Sequence, residues 1–136
     1  MKSTDELLKQ IKELNIDEFR KEESFDKIGI GEYLSQLFDT HNLQPKDIII
    51  NLNMDRSYTY QILSGRRRPT RNFLLRIALV LKLPLDETQR MLSIAQRAQL
   101  YPRNRFDAAI IFALEHEMTL EETNALLEEI GEELLN

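Results

Sequence analysis

The stretch from Gln44 to Thr70 constrains the fold more than any other, because it leaves room for two short helices, a sharp turn and a basic loop. Pro45 lacks the N–H that goes unsatisfied at a first helical position, so a helix starts there with Gln44 near its cap. Ile48, Ile49 and Leu52 make one apolar stripe, and the helix ends near Leu52. Asn53 then supplies the left-handed conformation a reversal needs, a role in which Asn is second to Gly. Asp55 stands where it caps a second helix by accepting a backbone N–H two or three residues on.

On that second helix, about residues 55–64, three- and four-residue spacing turns Thr59, Ile62 and Leu63 inward. Stepping round at about 100° per residue puts Ser57, Gln61 and Ser64 on the opposite face, with Arg56, Tyr58 and Tyr60 on its flanks. These outward groups suit the edges of bases. Gln61 is the best reader among them, since a side-chain amide engages adenine in a bidentate pair. Tyr58 and Tyr60 have two readings, contact with sugars and thymine methyls or packing against neighbouring helices. Gly65 stops the helix, and Arg66, Arg67, Arg68 and Arg71 follow around Pro69 as a clamp for a phosphate backbone.

These residues resemble the Xre/Cro, or lambda-repressor-like, helix-turn-helix family. Leu43 with Gln44-Pro45 matches the opening of that family's scaffold helix, and Ile48-Ile49 its Leu-Ala pair. Asn53 stands for the turn Gly, Asp55 for the Ser/Thr cap, and Gly65 to Thr70 for the Gly-x-x-x-Pro-Ser exit. Two positions depart from the pattern: Ile49 is bulkier than the usual Ala, and Asn53 is the mildest replacement for a left-handed Gly. The chain as a whole is also similar to bacterial regulators in which a leucine-rich segment and a Tyr-Pro-Arg-Asn-Arg-like turn follow this domain.

The resemblance implies an all-α fold, a lambda-repressor-like bundle extended by an N-terminal helix and C-terminal helices. It implies a transcriptional regulator that binds double-stranded DNA with the second helix in the major groove. Base reading then falls to Arg56, Ser57 and Gln61, flanked by Tyr58 and Tyr60. Phosphate contacts fall to Gln44, Lys46, Arg66, Arg67, Arg68, Arg71 and Asn72. A homodimer reading half-sites about 34 Å apart, or a multiple of that, is the matching assembly.

A net charge of −5 looks wrong for such a protein until it is partitioned. Residues 28–83 hold eight Lys/Arg against four Asp/Glu, whereas 84–136 hold four against eleven. Counterion release depends on local contacts, so the clustered positives count for more than the total. The same partition divides the chain into an N-terminal helix and linker (1–27), a DNA-binding domain (28–83) and a C-terminal helical segment (84–136). That last segment is read as a dimerisation surface or, through its acidic face, as a site for a basic partner protein. A protein-interaction adaptor on the same fold is the alternative function.

Elsewhere the spacing predicts helices over Ser3–Leu14, about 32–41, 72–81, 86–98, from Asn104 onward, and from Thr119 to Ile130. Leu7, Leu8, Ile11 and Leu14 form a stripe that either docks on its own domain or joins a dimer. Ile16, Phe19 and Phe25 are candidate anchors in a charged segment. Phe106, Ala109, Ile110, Phe112, Ala113 and Leu114 make the apolar side of the helix after Asn104, and Arg103 with Asp107 is read as an i,i+4 ion pair. No apolar run approaches the roughly 18 residues a bilayer requires, which with a polar amino end points to the cytoplasm. Zero cysteines and two distant histidines, His41 and His116, offer no metal site, cofactor site or catalytic constellation, so no enzyme is expected.

Overall fold

The computed structural model describes residues 3–21 and 28–136. Among them are nine α-helices and no strand: α1 (Thr4–Glu13), α2 (Ile16–Lys21), α3 (Ile30–Thr40), α4 (Pro45–Asn51), α5 (Arg56–Leu63), α6 (Arg71–Leu81), α7 (Leu85–Ile94), α8 (Arg105–Glu115) and α9 (Leu120–Glu129). No helix among these residues is long and apolar enough to cross a membrane.

Local chemistry accounts for most of the boundaries. Side-chain oxygens of Ser3, Asp55, Thr70, Asn104 and Thr119 each accept a backbone N–H from the first turn of the helix they open. Such a cap is worth about 1 kcal/mol. Thr119 is answered by Glu122, whose carboxylate accepts the Thr119 N–H at 2.9 Å. At the other ends, Asn42, Asn53, Gly65, Lys82, Gln96, Glu117 and Gly131 all have positive φ. In every case the following N–H reaches the carbonyl five residues back, as from Met54 to Ile49 at 2.9 Å and from Met118 to Ala113 at 2.9 Å. This is the hydrogen bond that closes a Schellman turn.

Two boundaries differ from expectation. α3 opens at Ile30 rather than Glu32, since the Gly29 backbone already serves as its cap. α7 stops at Ile94, four residues short of Ala98, because Gln96 turns left-handed at φ 56°. Ala-Gln-Arg-Ala has high helix propensity, so its side chains do not announce the stop. The carbonyls of Ala95 and Gln96, just past the last helical residue, are taken by Arg68 from another part of the chain.

The core is one buried cluster running from Tyr33 to Leu135, and so lies on both sides of Leu83-Pro84. α6 runs through it with Phe73, Leu74, Leu75, Ile77, Ala78 and Leu79 buried, and packs on α7, α8 and α9. A helix apolar on nearly every side belongs in that position. α3 crosses α5 so closely that a Cβ on Gly31 would sit 2.6 Å from the Ile62 carbonyl oxygen and 2.8 Å from that of Leu63.

Several apolar residues are less buried than their spacing suggests. Nothing on α1 or α2 is buried, and Leu8 and Ile16 are mostly exposed. Ile16 is 69 % and Phe19 49 % exposed, while Phe25 lies outside the described residues. Phe112 is half-exposed, its ring 4.1 Å from that of His116. It follows the buried Ile110 by two residues and is carried round to the outer side of α8.

Candidate functional site

α4 and α5 meet at a corner made by Leu52, Asn53, Met54 and Asp55. Ile48 and Leu52 are fully buried on one side of it, and Thr59 and Ile62 on the other. Asn53 sits at φ 50°, and the Asp55 carboxylate accepts the Ser57 N–H at 3.2 Å. The Thr59 hydroxyl donates to the Asp55 carbonyl at 3.1 Å, so its polar atom is satisfied inside the core.

Burying Thr59 and Ile62 turns the other side of α5 to solvent. Arg56, Ser57 and Tyr60 are exposed and Gln61 is half-exposed. The Gln61 amide donates to the Ser57 hydroxyl at 3.3 Å, and the Arg56 guanidinium lies 5.5 Å from the Tyr60 ring centre. Tyr58 behaves differently. It is half-buried, edge-on to Phe73 at 5.5 Å, and its hydroxyl accepts the Thr70 N–H at 3.0 Å. Of the two tyrosines, Tyr58 packs within the fold and Tyr60 is the one presented outward.

The four arginines after Gly65 divide into two pairs. Arg66 and Arg67 stay exposed, Arg67 stacked 4.9 Å over the Tyr58 ring. Arg68 turns inward: its Nε donates to the Ala95 carbonyl at 3.0 Å and an Nη to that of Gln96. Arg71 is committed further. Both of its Nη atoms reach the Asp107 carboxylate at 2.9 Å, and it also donates to the carbonyls of Ala98 and Gln99. Of the four arginines expected at phosphate, Arg68 and Arg71 thus spend donors on the protein itself, Arg71 the more fully, while Arg68 remains exposed like Arg66 and Arg67. Of the remaining residues expected at phosphate, Gln44 and Lys46 are exposed at the start of α4, where the Gln44 N–H donates to Asp47 at 2.9 Å. Asn72 is half-buried beside Phe106 and residues 132–134.

Asp107 consequently pairs with Arg71 and not with Arg103. Its side chain is only 8 % exposed. Burial opposes its charge, yet the Arg71 hydrogen bonds, the Tyr101 N–H at 2.9 Å and the Arg71 charge together hold its pKa below the usual carboxylate range.

Arg76 is a residue that spacing alone did not single out. It projects from α6 to the α4–α5 corner, donating to the Leu52 carbonyl and, at 2.9 Å, to the Met54 sulfur. Burial lowers its pKa, and its Nε is buried with no partner. The signal was present in the sequence, since one arginine within an apolar run on a central helix has to find acceptors or desolvate at a cost. His41 and His116 are exposed helix ends, and no group of three or more His, Cys, Asp or Glu among the described residues is arranged to hold a metal ion.

Comparison with protein-family models, with curated proteins and with solved structures found no match to this chain.

Proposed function

We propose that this chain is a sequence-specific, double-stranded-DNA-binding transcriptional regulator of the lambda-repressor-like helix-turn-helix kind, with α5 in the major groove. One observation supports this above the others. α5 buries Thr59 and Ile62 and offers Arg56, Ser57, Tyr60 and Gln61 to solvent, with Arg66 and Arg67 uncommitted where the helix ends. The polar face reads base edges, and the two guanidiniums bind backbone phosphate where the helix ends. The acidic face of α9 repels phosphate and favours docking through α5. A single corner binds weakly, so the functional form is a homodimer acting in the cytoplasm.

A protein-interaction adaptor is the second reading. Ile50, 74 % exposed on α4, and the inward commitment of Arg68 and Arg71 favour it. Fluorescence anisotropy with a random-sequence duplex at low salt separates the two, because a DNA reader binds it in a salt-sensitive way and an adaptor does not. Selection from a randomised duplex pool then yields the operator. On that operator Gln61→Ala should cost roughly 1–3 kcal/mol while leaving binding to random duplex unchanged. Equal losses on both would remove Gln61 from the reading face.

A further inference from the structure

Two loops far apart in sequence are stitched together beside the exit of α5. Arg68 and Arg71 reach from the 66–71 loop to four carbonyls, those of Ala95, Gln96, Ala98 and Gln99. Arg97 reaches back, its Nε donating to the Pro69 carbonyl at 3.0 Å. Pro69 is buried within this seam. Ala95 closes α7, and the carbonyls at a helix's C-terminal end carry partial negative charge that suits the Arg68 guanidinium.

Among the described residues Asp107 is the one carboxylate bonded in the seam, and its surroundings fix it tightly. Its own N–H donates to the Asn104 side chain at 2.9 Å, and its Oδ2 accepts both the Tyr101 N–H and an Arg71 Nη. Arg71 is one residue past Thr70, whose N–H is held by the Tyr58 hydroxyl, and Tyr58 carries Arg67 across its ring. A chain of contacts thus runs from α8 through Arg71, Thr70 and Tyr58 to the exposed Arg67.

We propose that Asp107 is a positioning residue for phosphate contact: by locking Arg71 against the 95–101 segment it sets where Arg67 points. This rests on the DNA-binding reading above. The seam makes the C-terminal half a template for the basic loop, although that half is acidic and itself repels nucleic acid. Arg71 serves the DNA contact indirectly and does not touch phosphate.

The sign of one substitution tests this. Asp107→Asn removes a negative charge, so simple electrostatics predicts tighter binding to a random duplex, and a freed Arg71 would add to it. Positioning predicts weaker binding, by about three- to tenfold at low salt, with the dependence of log K on log salt shallower by about one phosphate contact. The loss should vanish in an Arg67→Ala background, where nothing remains to be positioned, whereas a merely structural defect adds to it. Arg97→Lys keeps its charge and gives up the guanidinium Nε–H that bonds Pro69. It should give the same coupling at smaller size, and it serves as the test if circular dichroism shows Asp107→Asn unfolded. Tighter binding by Asp107→Asn, unchanged binding by both variants, or losses additive with Arg67→Ala overturn the proposal. Wild-type protein that ignores duplex DNA overturns the DNA reading and this inference together.

Discussion

The α4–α5 corner and the α8–α9 corner are built to one recipe and turn opposite charges to solvent. Each joins its helices through four residues, with a left-handed second residue, Asn53 or Glu117, at φ 50°. A methionine follows, then a cap, Asp55 or Thr119, and four residues later a buried threonine that donates to the cap's carbonyl. The exposed side of α5 carries Arg56, Ser57 and Tyr60, whereas that of α9 carries Glu121, Glu122, Ala125, Glu128 and Glu129. A tight helical corner with good caps is a general solution to a reversal and identifies no function. The side chains that the corner turns outward carry the functional argument.

The largest effect should come from the seam that ties the exit of α5 to the start of α8. Asp107→Ala strands the Arg71 charge in a mostly buried site and should cost about 3–5 kcal/mol of folding stability, read by denaturant titration. Because the folded pKa of Asp107 is depressed, its contribution is complete above the unfolded carboxylate pKa and is lost as pH falls through the folded value. Wild-type stability should therefore fall in acid more steeply than that of Asp107→Asn. Parallel pH profiles would mean that the pair contributes nothing net.

Charge reversal on the basic corner comes next. Arg66→Glu with Arg67→Glu should weaken binding to every duplex on the order of a hundredfold and flatten the salt slope by about two contacts. Its melting temperature should fall only slightly, because what Arg67 gives up is an exposed stack on Tyr58. Reversing Glu121 and Glu128 to Lys should strengthen non-specific binding slightly and confer no sequence preference. A preference gained at α9 would show that the corner matters more than its surface.

Gly31→Ala tests how α5 is held. The added Cβ meets two backbone carbonyls that have no flexible end to swing away, so a loss of about 1–3 kcal/mol is expected. Binding should suffer beyond that loss if the tilt of α5 matters. The smallest effects should come from the caps. Asp55→Ala and Thr119→Ala should each cost about 1 kcal/mol, and only the first should alter DNA affinity. If Thr119→Ala altered it equally, α9 would belong to the binding surface.

Much of this was legible in the residues. Pro45, Asn53, Asp55, Gly65, Asn104 and Thr119 each act within one turn of where they stand, so helices and corners followed from short-range rules. The lapses have a common cause. Glu117, Lys82 and Gln96 take left-handed backbone as Asn53 does, but nothing in their side chains announces it. The partners of Asp107 and of the Ala95 carbonyl just past α7 are arginines 27 to 36 residues away.

From residue order alone came the helical class, the corner at Asn53, the inward Thr59 and Ile62, and the concentration of positive charge after Gly65. Tertiary structure alone decided which of those charges are free. Arg66, Arg67, Arg68 and Arg71 look alike in a line, and a guanidinium's reach of several ångströms lets any of them bind whatever acceptor folding brings near. Folding brought Asp107 and the open carbonyls at the end of α7 to two of the four. Hydrogen bonds made within the protein then occupy donors of those two, and a linear sequence does not record which donors are taken.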